Sequence, residues 1–294
     1  MFKVHLPLQM TLGECPVWDA EHQVLYWVDI HAAQLHRLDS ARNAHSIVTL
    51  DEAIGCIALH EEGGFVAGLR SGIWRLDQKG RKLDCLASNP EDASTNRFND
   101  GRCDPAGRLW IGTLDEAETS PTAALYRYQS GQLAVIKHEI TISNGLAFSP
   151  DGHYLYHADS PRRIIERHAL DITSGELGPA EQWLDISDVD IAGFPDGGAV
   201  DSEGYYWCAL YAGGAVARFT PEGRLAAHYP LPVPNPTMIA FGDKDLRTLY
   251  VTSARQGMDE YSLTLAPLSG SLFSMRVDTP GLREPRYGDT SRML

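Results

Sequence analysis

A unit of short strands recurs six times along this chain, and that recurrence limits the fold more than any other feature. The segments Glu14–Asp19, Ile54–Leu59, Asn99–Asp104, Asn144–Ser149, Asp196–Asp201 and Thr237–Gly242 align, with starts 40, 45, 45, 52 and 41 residues apart. Each leads through a polar turn, such as Glu62-Gly63 or Asp151-Gly152, into a second apolar run. Those runs are Val24–Val28, Gly64–Leu69, Leu109–Thr113, Tyr154–Ala158, Tyr205–Leu210 and Leu249–Ser253. Third strands follow, as at Gly72–Leu76, Ala124–Tyr128, Ala215–Phe219 and Gly270–Val277. A period of roughly 40–50 residues made of short strands marks propeller blades. One blade cannot bury both faces of its sheet, so the blades pack in a ring. The expected fold is all-β, a six-bladed β-propeller forming a single domain over residues 1–294. Lys3–Leu6 is expected to close the ring as the outer strand of the last blade, beside Leu272–Val277. An unrelated β-sandwich would not hold one register through six units.

Bulk properties narrow the partners. The 43% hydrophobic content suffices for a core, and the net charge of −14 repels phosphate backbones, so nucleic acid is not expected as a partner. No apolar stretch approaches the ~20 residues of a membrane helix, and Met1–Met10 lacks a signal-peptide core. The five cysteines, Cys15, Cys56, Cys85, Cys103 and Cys208, include no Cys-x-x-Cys. Neither a disulfide framework nor a thiolate zinc site is indicated, and a cytoplasmic location fits. The oligomeric state stays open between a monomer and a small homo-oligomer.

The first strand of a propeller blade lines the central axis, so the aligned first positions should meet there. They are Glu14, Ile54, Asn99, Asn144, Asp196 and Thr237. Two carboxylates and two amides around one point are costly to bury without compensation. A divalent cation compensates: carboxylates balance its charge and amides add oxygen ligands. An all-oxygen set favours Ca²⁺, Mg²⁺ or Mn²⁺ and leaves Fe²⁺ or Zn²⁺ open. No His-Glu-x-x-His spacing occurs among the eleven histidines. Taken singly, Asn99, Asn144 and Asp196 also suit turns. Gly145 and Gly197 follow axial residues and Gly101 lies two after Asn99, where glycine permits close approach or a positive φ.

Five motifs occur in order: Gly13-Glu14-Cys15-Pro16-Val17-Trp18, Arg97-Phe98-Asn99-Asp100-Gly101, Ser143-Asn144-Gly145-Leu146, Pro195-Asp196-Gly197 and Val200-Asp201-Ser202-Glu203-Gly204-Tyr205-Tyr206-Trp207. Together they resemble the senescence-marker-protein/gluconolactonase family, the regucalcin-like sugar lactonases, over roughly Leu12 to Val277. Within it the chain is most similar to bacterial aldonolactonases of pentose and hexose oxidation. The resemblance implies one metal, most naturally Ca²⁺, held by Glu14, Asn144 and Asp196. It implies a small sugar lactone contacted by Arg97 and Asn99, with Asn99 also near the metal, and Asp196 as general base. Some relatives carry a substrate-contacting Glu a few residues after the Gly-Thr that is Gly112-Thr113 here. The matching position holds Ala117, between Glu116 and Glu118.

The expected chemistry is metal-assisted attack of water on the lactone carbonyl. Asp196 either takes a proton from that water or orients a water activated by the cation. Arg97 fixes the sugar through paired hydrogen bonds, the alternative being a structural ion pair with Asp92 or Asp100. No Gly-x-Ser-x-Gly motif supports an acyl-enzyme. Asp19, Asp104 and Asp201, each five residues after an axial position, read as turn residues. Trp18, Trp27, Trp74, Trp110 and Trp207 read as blade packing. Two other functions compete: an organophosphate-hydrolysing propeller with the same kind of metal site, and a non-catalytic metal-binding scaffold. Substrate choice is expected from the loops Leu114–Thr122 and Asp185–Phe194.

Overall fold

The computed structural model describes residues 1–288; the last residues of the expected domain range, 289–294, lie outside the described residues. Within them are six antiparallel sheets of four strands each. Five sheets take their strands in chain order. The sixth runs Pro236–Gly242, Thr248–Ser253, Leu272–Arg276 and then Lys3–Leu6. Lys3 lies opposite Ser274 and Val4 opposite Phe273, so the two ends of the propeller share one sheet, as expected. This closure ties the first residues of the chain to its last blade, so the ends cannot part there without breaking strand hydrogen bonds.

Burial falls from the axis outward. The first strands Ile54–Leu59 and Ser143–Phe148 are buried at every position, whereas the outer strand Ala44–Thr49 is mostly exposed. Apolar residues therefore run unbroken on inner strands, while polar ones blunt the outer edges. Trp18, Trp27, Trp110 and Trp207 are fully buried between blades. Trp74 is only partly buried, with the Lys82 ammonium 4.9 Å from its ring centre.

The turn aspartates are structural. Asp104 accepts from the N–H groups of Ala106 and Arg108, from Trp110 Nε1 at 2.9 Å and from Arg108 Nε at 2.6 Å. Asp201 repeats this in blade 5, taking Trp207 Nε1 at 2.9 Å and Arg218 at 2.6 Å. One carboxylate thus closes the turn and anchors the tryptophan of the next strand. Asp19 closes its own turn and receives Arg286 at 2.8 Å.

These turns all lie at one end of the ring. The chain after Arg276 crosses that end: Pro280 accepts from Ser202 N, Glu284 meets Arg102 at 3.4 Å and Tyr287 N donates to Leu59 O. The starts of the first strands lie at the other end. There the loops between second and third strands rise around the axis, the longest carrying the short helix Glu260–Leu265.

Candidate functional site

Every first strand carries a register irregularity just after, or at, its axial position: Glu14/Val17, Ile54/Cys56, Phe98/Gly101, Asn144/Ala147, Pro195/Gly198 and Pro236/Ile239. A bulge inserts an extra residue and re-aims its neighbour, here at the same place in every blade. The glycines play different parts in it. Gly145 has φ +69°, the left-handed region expected of it. Gly197 does not; a Cβ there would lie 2.2 Å from Met238 Cγ, so it serves close packing. Gly101 likewise packs on Cys56 Sγ. In blade 1 the left-handed residue is Cys15, at φ +46°.

The bulges bring Glu14, Arg97, Asn99, Asn144 and Asp196 to the wall of one cavity of about 410 Å³. The other two axial positions do not reach it. Ile54 is fully buried, and Thr237 spends its hydroxyl on Gly13 O and Thr252. Sequence alignment placed six residues at the axis; four of them face the cavity.

A directed hydrogen-bond chain orders these side chains. Arg97 Nη1 donates to Asn99 Oδ1 at 2.8 Å, and Asn99 Nδ2 donates to Asn144 Oδ1 at 2.8 Å and to Ser143 O at 3.0 Å. Asn144 Nδ2 then donates to Ser160 Oγ at 2.8 Å, which donates to Pro195 O at 2.6 Å. The chain starts from a guanidinium, which can only donate, so each amide orientation follows from the one before. It ends beside Asp196. Arg97 pairs with neither Asp92 nor Asp100. Its carboxylate neighbour is Glu116, 3.7 Å from Nε, and Glu116 is itself held by Arg70 at 2.5 Å.

The electrostatics test whether these residues suit a cation. Burial raises the pKa of Glu14, only partly offset by the Cys15 N–H at 3.0 Å. Burial and then the Glu14 charge raise that of Asp196 well above the carboxylate range. Burial also holds Arg97 down, to about 10. Asp196 receives no side-chain hydrogen bond among the described residues. Two buried carboxylates with spare lone pairs and an amide oxygen form a donor set that a hard divalent cation satisfies. The residues present fit such an ion.

A pH prediction follows. The folded state keeps protons on Glu14 and Asp196 that the unfolded chain, with ordinary values of 4.5 and 3.8, has lost. Stability of the chelated protein should therefore fall as pH rises from about 7 to 8, above the titration of unfolded histidine. Glu166, lowered to about 2 by His168 and Lys137, and His36 and His157, lowered by burial to about 4 and about 3, work in the opposite sense but below that window. Thermal melts in chelator should show the fall, and excess divalent cation should abolish it. A melting temperature rising with pH over that window in chelator would refute the account.

Several wall residues have no repeat or motif to mark them. Ser160 and Gln256 come from loops between second and third strands, and Tyr211 from the end of the second strand Tyr206–Tyr211. Leu114, Glu118 and Phe194 come from the two segments expected to set substrate choice. Of the two glutamates flanking Ala117, Glu118 faces the cavity and Glu116 joins the arginines. All five cysteines are free thiols, and only Cys85 among them is exposed. No helix among the described residues is long and apolar enough to cross a membrane.

Comparison with known proteins identifies relatives along nearly the whole chain. A protein of Pseudomonas putida named 6-deoxy-6-sulfogluconolactonase is 45% identical over 278 residues, covering 94% of this chain and 95% of that one. Human regucalcin is 34% identical, covering 92% of each chain. The crystal structure of a calcium-binding protein, regucalcin, from Agrobacterium tumefaciens superposes with a TM-score of 0.92 at 30% identity, over 97% of each chain. The model of the SMP-30/gluconolactonase/LRE-like region matches residues 12–255, and the chain belongs to that family.

Proposed function

We propose that this protein is a divalent-metal-dependent sugar lactonase that opens an aldono-lactone to its aldonic acid in sugar catabolism. The observation that carries the reading is the shared cavity, lined by the carboxylates of Glu14 and Asp196, neither in an ion pair among the described residues, together with the guanidinium of Arg97. Glu14, Asn144 and Asp196 would hold a divalent cation, Ca²⁺ first among the hard ions, which when bound would supply positive charge for the lactone carbonyl and the developing oxyanion. Asp196 orients the attacking water and accepts its proton. Arg97 donates to sugar hydroxyls or the ring oxygen, while Asn99, locked by Arg97 and Asn144, keeps that donor in place. Leu12, Leu114, Ile142 and Phe194 supply apolar walls that hold the ring and displace water. The substrate set includes hexono- and pentono-lactones and the 6-sulfonated gluconolactone. The free thiols suit a reducing cytoplasm.

The test is chelation followed by return of single metals, with acid release measured on xylono-, arabinono-, galactono-, glucono- and 6-sulfoglucono-lactones. Calorimetry should show one cation bound per chain. Metal-restored hydrolysis well above spontaneous opening is expected for at least one lactone. No hydrolysis with any metal would overturn the reading.

A further inference from the structure

Next to the cavity-wall residues Ser160, Pro161 and Phe194 lies an arginine with no carboxylate partner among the described residues. Arg163 follows Ser160 and Pro161, both in the cavity wall, and its backbone is left-handed at φ +58°. Its guanidinium lies over the Phe194 ring, 5.9 Å from the centroid, and Phe194 is a wall residue left 41% exposed. The side chain donates one hydrogen bond, from Nη2 to Ile191 O at 3.2 Å. Its Nε–H is shielded from solvent and meets no acceptor among the described residues. No carboxylate among them comes within 4.0 Å of it.

The other arginines facing this end are committed. Arg70 is bound to Glu116, Arg97 to Asn99 and Glu116, and Arg255 to Gln9. Other half-buried arginines without a carboxylate, Arg75 and Arg127, each donate to two or more backbone carbonyls, whereas Arg163 makes one such bond and keeps a shielded Nε–H without acceptor. Shielding it from water carries a cost that a bound anion would relieve through charge-assisted hydrogen bonds. The anion cannot be the reacting ester, which belongs with Arg97 and Asp196 at the axis. It belongs at the far end of the same molecule, on the side of blades 4 and 5.

We infer that Arg163 recognises a terminal oxyanion, sulfonate or phosphate, on the exocyclic carbon of a hexonolactone, and so selects anionic over neutral sugar lactones. The inference rests on the lactonase reading above. Phe194, itself in the cavity wall, sets the guanidinium beside the cavity through a cation–π contact. The axis opens the ring, and Arg163 chooses which ring is held.

The experiment compares wild type with Arg163→Met and Arg163→Lys on gluconolactone, its 6-sulfonate and its 6-phosphate. Wild type should favour an anionic lactone in kcat/KM by about tenfold or more, with the advantage shrinking in salt. Arg163→Met should erase most of that advantage, chiefly through KM, and Arg163→Lys should restore part of it. The ratio between sulfonate and phosphate names the oxyanion. Equal losses on neutral and anionic lactones, or no wild-type preference, would overturn the inference. Calorimetric binding of the two anionic aldonic acids needs no turnover. If wild type opened no lactone, the proposed function would fall, and equal binding of these acids by wild type and Arg163→Met would overturn the role of Arg163 separately.

Discussion

Asp196→Asn is expected to lose lactone hydrolysis by about 10³-fold or more while making the metal-free protein more stable. The two effects have one origin. Asp196 is a buried carboxylate near a second one, Glu14, and no side chain among the described residues donates to it. Ionised and without a cation it destabilises the fold, so a neutral isostere removes a repulsion rather than a bond. The metal-free melting temperature should rise by a few degrees, about 2–4 °C per kcal/mol for a chain of this size. Cation affinity should drop with the activity, which calorimetry would show independently of turnover. A misfolded variant could not give this combination. Retained activity within about tenfold, or a lower metal-free melting temperature, would mean that Asp196 is a structural acceptor and that the metal lies elsewhere.

Asp104→Ala should be the most damaging single change away from the cavity. Asp104 and Arg108 are both fully buried, 2.6 Å apart, and the same carboxylate holds Trp110 and two backbone N–H groups. Arg108 Nη2 continues to Ile172 O in the next blade. Removing the carboxylate leaves a buried guanidinium uncompensated, a loss of about 3–5 kcal/mol. The melting temperature should fall by roughly 10 °C. Asp245→Ala breaks the Arg276 pair, whose partners are 57% and 49% exposed, and should cost under about 1 kcal/mol. Similar melting temperatures for the two variants would refute this ranking.

The propeller was legible because its signal is repetitive. Each blade needs an apolar inner strand, a polar turn and a second apolar strand, and six copies average out local ambiguity. Closure by Lys3–Leu6 was legible too, since a ring of strands leaves the last blade one short. Strand ends moved by a residue or two, as at Gly64 and Tyr205, where turn geometry and not hydropathy sets the limit.

The site was legible in part. Glu14, Asn99, Asn144 and Asp196 share a register position, and a polar residue where apolar ones are required stands out. Ile54 and Thr237 share that position and do not reach the cavity, because register says where a residue starts and not how its bulge aims it. The ion pairs offered as the alternative role of Arg97, with Asp92 or Asp100, do not form, for a related reason. Asp92 and Asp100 are near in sequence, but Glu116 arrives from the neighbouring strand's loop.

Periodicity and residue type along the chain therefore dictated the ring, its closure and the oxygen-rich axis, because each depends on a pattern repeated at fixed spacing. The order of the hydrogen-bond chain from Arg97 to Pro195, the choice of Glu118 over Glu116 for the cavity, and the isolation of Arg163 beside Phe194 depended on folding. They arise between loops of different blades, whose distance and orientation are set by blade packing and leave no period in the sequence.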